Sequence, residues 1–108
     1  MEELILELQA QAKLNSTQEI CGVIGSDMQI YPIRNVAKVS ASCFIFDKRQ
    51  YFLLMNTFKE YNIKVAYVYH SHPNGDPTPS RADIDYTKRS GVPQIIITKN
   101  TYKVVTRA

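Results

Sequence analysis

Two hydrophobic rhythms alternate along the chain. Over residues 2–14, Leu4, Ile5, Leu8 and Ala12 recur at helical spacing between Glu and Gln, and Asn15-Ser16-Thr17 closes the pattern. The spacing predicts a helix there. "EICGVIG" (19–25) then reads as a strand, Gly25-Ser26-Asp27 as a turn, and "MQIYPI" (28–33) as a second strand. Pro32 lacks an N–H for the ladder, so that second strand lies at an edge or carries a break. "SASCFIF" (40–46) predicts a third strand.

Asp47 is suited to cap a second helix, "KRQYFLLMNTFKEY", in which Tyr51, Leu54, Met55 and Phe58 form a core-facing stripe. "KVAYVYHSH" (64–72) is apolar on both faces and predicts a central strand. After a proline-rich loop, a short helix runs from Ser80 to about Ser90, stopped by Gly91 and Pro93. "QIIIT" and "YKVVT", around Lys99-Asn100, complete a hairpin. The predicted order is α-β-β-β-α-β-α-β-β. It belongs to the α/β class in its α+β form: a single domain, residues 1–108, with a central mixed sheet flanked by helices.

Composition adds bounds rather than chemistry. At 108 residues there is room for one core. With 44% hydrophobic and 21% charged residues, disorder and disulfide scaffolds are excluded. The start is acidic (Met1-Glu2-Glu3), and no apolar run approaches the roughly 18 residues of a membrane span. A cytoplasmic product without a membrane partner is therefore expected. Cys21 and Cys43 lack metal-type spacing and lie in apolar runs, which predicts two small buried hydrophobes. The net charge is +3, and Lys88, Arg89, Lys99, Lys103 and Arg107 alternate with apolar residues. That pattern describes a solvated rim, not a nucleic-acid interface.

The candidate chemistry lies in "YHSHPNGDPTPSRAD" (69–83). On a strand, His70 and His72 emerge on the same side, and Pro73 ends the strand just after them. Both imidazoles then stand at a strand's C-terminal end, where open sites in α/β sheets form. Asp83 follows across a loop able to fold its helix back. Two imidazoles and one carboxylate make a ligand set for a catalytic zinc with a free fourth position. A simpler reading also accounts for Asp83: Ser80 caps the helix, and Asp83 sits in its first turn against the helix dipole. The two readings are compatible. Asp76 lies in the loop and Asp85 on another side of the helix, so both rank below Asp83 as ligands.

The form His-Ser-His-Pro, six residues, Ser, two residues, Asp resembles the signature of the JAMM metalloproteases, the metal-binding branch of the MPN (Mov34) superfamily. Glu19 in "QEICGVIGS", Asn35 and "FIFD" extend the resemblance from about residue 16 to the end of the chain. It implies an MPN/cytidine-deaminase-like arrangement and one Zn2+ per chain, held by His70, His72 and Asp83. It also implies Glu19 as general base and Ser80 as hydrogen-bond donor to the developing oxyanion. Read without the resemblance, Glu19 is simply a solvated charge at a strand start.

The family resemblance implies hydrolysis of a peptide or isopeptide bond in a protein substrate. The stretches "IYPIRNVAKVSASCFIFDKRQYF" and "SGVPQIIIT" are most similar to JAMM domains of phage tail-assembly proteins, made in the bacterial cytoplasm. A tail protein is one implied partner; a ubiquitin-like sulfur carrier is another. "GDPTPSRADID" is also similar to the RadC branch associated with DNA repair, which the upstream "EICGVIG" fits less well. The alternative from another class is a metal-stabilised assembly or scaffold module without turnover. Retention of all three ligands and of the glutamate argues against it.

Overall fold

The computed structural model describes residues 1–107. Helix α1 (Glu2–Leu14) buries Leu4, Ile5, Leu8 and Ala12, the four residues whose spacing predicts it. They pack on Ile24, Tyr69, Ile95 and Ile97, which alternate along three strands and therefore share one sheet face. The strands are β1 (Cys21–Gly25), β2 (Ile30–Ile33), β3 (Val65–Ser71), β4 (Gln94–Ile97) and β5 (Tyr102–Val105). Their order across the sheet is β2-β1-β3-β4-β5. Only β3 and β4 are parallel, so the sheet is mixed, with β3 at its centre and Pro32 on an edge strand as expected.

The opposite face carries Val23, Ile33 and Val68, covered by α2 (Lys48–Glu60) through the buried Phe58 and by α3 (Arg81–Ser90) through Tyr86. Leu54 and Met55 complete the α2 stripe as half-buried contacts. Tyr51 sits further out and stacks on Phe46 instead, with ring centroids 5.6 Å apart. Asp47 caps α2, its side chain accepting the Gln50 N–H. Gly91 ends α3 in the left-handed conformation, φ 71°, where a side chain would be strained. Among the described residues, no helix is long and apolar enough to cross a membrane.

Three expectations need correction. Residues 40–46 are not a strand: they form a turn and an irregular segment whose β pairing is confined to one isolated bridge, Asn35 to Phe46. The cause is the Asn35 side chain. It donates to the carbonyls of Glu19 (2.9 Å) and Cys43 (3.0 Å) and accepts the N–H groups of Ala37 (3.0 Å) and Ile45 (3.1 Å). A side chain that takes these backbone groups replaces the ladder a strand would need. Cys43, on the same segment, is consequently exposed rather than buried, whereas Cys21 is buried. Finally, β3 ends at Ser71, one residue early, and His72 stands just beyond it, its N–H still bonded to the Ile97 carbonyl (2.9 Å).

Candidate metal centre

Strand register assembles the first half of the site. Cys21 pairs with His70 in the β1–β3 ladder, and the Ser71 N–H donates to the Ile20 carbonyl (3.0 Å), carrying the pairing past the end of β1. Glu19 is thereby drawn across from His72. Its N–H is fixed to the Ser40 carbonyl (2.6 Å) and its side chain is buried. Candidate ligand atoms of Glu19, His70 and His72 all lie within 4.8 Å of one another.

Helix α3 delivers the second half. Ser80 is its N-cap: the Ser80 Oγ accepts the Asp83 N–H (3.1 Å), and Asp83 Oδ2 accepts the Ser80 N–H (2.9 Å). This capping box locks the Asp83 rotamer. The same Oδ2 lies 3.4 Å from His70 Nε2 and 3.5 Å from His72 Nε2, and those two nitrogens are 3.2 Å apart. Capping and convergence on the histidines are therefore properties of one carboxylate.

The triangle can be tested against a metal. Zinc bonds of about 2.0–2.1 Å in a tetrahedron imply donor–donor edges of about 3.3–3.4 Å. Edges of 3.2, 3.4 and 3.5 Å fit that requirement. The tautomers agree. His72 Nδ1 is 2.8 Å from the Asp76 carbonyl oxygen, which can only accept, so Nδ1 carries the proton. In the neutral ring Nε2 is then a lone pair aimed at a carboxylate oxygen and a second imidazole. Two acceptors, His72 Nε2 and Asp83 Oδ2, converging with His70 Nε2 in this way suit a cation between them. A Glu-His-His set can also be drawn, but its atoms are spread over a wider span than the Asp83 triangle.

Local electrostatics separate the carboxylates. Burial pushes the Glu19 carboxyl up from 4.5 to about 7, with His72 opposing and Asp83 reinforcing the rise. Burial also acts to raise Asp83, but hydrogen bonds from the protonated forms of His70 and His72, the charge of His70 and the Ser80 N–H outweigh it, holding Asp83 well below its ordinary range. Burial lowers His70 against the pull of Asp83. His72 is raised, chiefly by its hydrogen bond to Asp83. One carboxylate is thus kept ionised and the other poised near neutrality.

The structure brings Glu19, His70, His72, Ser80 and Asp83 together at one end of the sheet. Asp85 is exposed. Asp76 contributes its main-chain carbonyl to His72, while its carboxylate accepts from Thr78 N (2.9 Å) and Oγ1 (2.6 Å). Sequence reasoning assigned no role in the site to three further contributors. Phe44 stacks on the His70 ring, with centroids 4.6 Å apart and planes 26° apart. Asn35 ties the Glu19 backbone to the segment carrying Phe44. Gln94 donates through Nε2 to the Asp83 carbonyl (2.6 Å) and Thr87 Oγ1 (2.8 Å). Asn35 and Phe44, the latter within "FIFD", entered the sequence reading only through the family resemblance, and Gln94 left a trace as a polar residue opening the apolar run "QIIIT".

A cleft of about 800 Å3 opens over the centre. Glu19, His72, Ser80 and Asp83 lie at its base, and residues 41–46 form one wall. Within the Asn35–Phe46 bridge, hydrogen bonds run from Val36 N to Ile45 O and from Asp47 N to Arg34 O (both 2.9 Å). This pattern leaves the N–H and C=O of Phe46 itself out of the pairing.

Fold and site together define an α+β domain with a His-His-Asp cluster and an adjacent buried glutamate at one sheet end. The model of the family described as prokaryotic homologs of the JAB domain matches residues 1–108, and the chain belongs to that family. Among solved structures, it resembles a protein from Desulfitobacterium hafniense (TM-score 0.73, 21% identity, 96% of this chain and 78% of that one). It also resembles a JAB1/MPN domain protein from Archaeoglobus fulgidus (TM-score 0.58, 22% identity, 96% and 82%). Among curated proteins, UPF0758 proteins of Geobacillus thermodenitrificans and Geobacillus kaustophilus are 80% identical over 20 residues. That match spans 18% of this chain and only 9% of those proteins.

Proposed function

We propose that this domain is a zinc-dependent hydrolase of peptide or isopeptide bonds in a protein substrate. The observation that carries the reading is the triangle of His70 Nε2, His72 Nε2 and Asp83 Oδ2, with the buried Glu19 beside it. A zinc ion held by those three residues would supply Lewis acidity, polarising a carbonyl oxygen and making a water acidic near pH 7. Glu19, with its carboxyl raised to about 7, takes the proton of the attacking water on a carboxylate oxygen and gives it to the departing amine. The Ser80 Oγ already accepts the Asp83 N–H, which leaves its own O–H to donate to the developing oxyanion. The raised pKa of Glu19 and the depressed one of Asp83 suit these separate tasks.

A peptide in extended form suits the cleft. Phe46 lines it and retains an unpaired backbone N–H and C=O, to which a substrate strand could add. A ubiquitin-like protein with an extended C-terminal tail and a phage tail protein are the two substrate classes to test. The experiment incubates zinc-loaded wild type and Glu19→Gln with fusions of ubiquitin-like proteins, tail proteins and peptide libraries. Cleavage by wild type and its loss in Glu19→Gln are expected. No cleavage of any substrate by zinc-loaded wild type would refute the hydrolase reading in favour of a metal-stabilised scaffold.

A further inference from the structure

The two histidines differ in a way the ligand triangle does not explain. His72 has a partner for its outer nitrogen, the Asp76 carbonyl, whereas His70 Nδ1 is fully buried with no hydrogen-bond partner among the described residues. A buried imidazole N–H left unpaired is costly, and metal-binding histidines nearly always give that proton to an oxygen. Two other buried side-chain oxygens lack a partner among the described residues, the Tyr69 hydroxyl and Gln94 Oε1, and Tyr69 lies on the opposite sheet face, against α1.

Register places Gln94 and His70 on one sheet face. Gln94 pairs with Val68 in the parallel β3–β4 ladder, and Val68 and His70 lie two residues apart on β3. All three side chains therefore project from the same sheet face. The amide orientation of Gln94 is fixed, because the Asp83 carbonyl can only accept and so must face Nε2. Its Oε1 is consequently turned away from that carbonyl, and the residue is 0% exposed.

We propose that Gln94 is a positioning residue of the metal centre, its Oε1 accepting the His70 Nδ1–H through one bridging water. One amide then serves both sides of the ligand triangle. Its NH2 group braces the helical turn bearing Asp83, and its oxygen holds His70 in the tautomer whose Nε2 lone pair faces the ion. Thr87, buried at 1% exposure, anchors the amide from α3.

The consequence for metal binding rests on the zinc reading above, but the tautomer can be measured without zinc. His70 and His72 are the only two histidines in the chain, so imidazole nitrogen resonances of the metal-free protein are readily assigned by NMR. At pH 8, wild-type His70 is expected to carry its proton on Nδ1, and Gln94→Leu to move it to Nε2, toward Asp83. Zinc affinity, measured by chelator competition, should fall about 10–100-fold in Gln94→Leu. Thr87→Val, which removes the bracing contact but not the acceptor, should stay within about threefold of wild type. A wild-type His70 protonated on Nε2 would overturn the proposal even if Gln94→Leu fails to fold, and so would equal losses in the two variants. Failure of wild type to bind zinc at all would instead sink the metal reading, with the tautomer still deciding the role of Gln94.

Discussion

Glu19→Gln separates what the glutamate costs the fold from what it contributes to chemistry. In the metal-free protein, burial raises the Glu19 carboxyl from 4.5 to about 7. A group whose pKa is higher folded than unfolded favours folding fully below the unfolded value, and that contribution is lost as pH rises through the folded one. Wild type should therefore lose stability between about pH 4.5 and 7, whereas glutamine at this position has no charge to develop. At about 1.4 kcal/mol per pH unit, the full rise corresponds to roughly 3 kcal/mol. The side chain borders an open cleft and faces His72, so screening reduces the expected difference to about 1–2 kcal/mol. Urea denaturation of both metal-free proteins at pH 5 and pH 8 measures it. The variant should match wild type at pH 5 and exceed it at pH 8. Equal midpoints at both values, or a variant weaker at pH 8, would refute the assignment of Glu19 as a destabilised buried carboxylate.

Two further substitutions test the frame around the site. Asn35→Ala leaves the four backbone groups its amide satisfies without their partner. It should cost about 2–3 kcal/mol in urea unfolding and make residues 36–46 the first site of limited proteolysis. Gly22→Ala would set a Cβ 2.5 Å from both the Tyr31 carbonyl oxygen and the Tyr69 hydroxyl, and the first of these is backbone that cannot step aside. A loss of about 3 kcal/mol, or failure to fold, is expected; a wild-type midpoint would show that β1 and β2 are further apart.

Legibility in the sequence followed locality. α1 could be read because four buried side chains repeat at helical spacing, and α3 because Ser80, Asp83 and Gly91 mark its ends with local capping chemistry. The pairing of His70 with His72 needed only the two-residue period of a strand. The segment 40–46 misled because its apolar residues have strand composition, while its backbone is held by Asn35, several residues away along the chain. The roles of Phe44 and Gln94 were not legible for a related reason. Stacking on His70 and bracing of Asp83 depend on which elements cover one sheet face, and no spacing along the chain encodes that.

Zinc stoichiometry tests the centre most directly. Elemental analysis of the purified protein should give about one zinc per chain in wild type and in Glu19→Gln, and little or none in His72→Ala or Asp83→Ala, since three protein ligands leave none to spare. Full zinc retained in both ligand variants would contradict the assignment of His70, His72 and Asp83 as the metal centre.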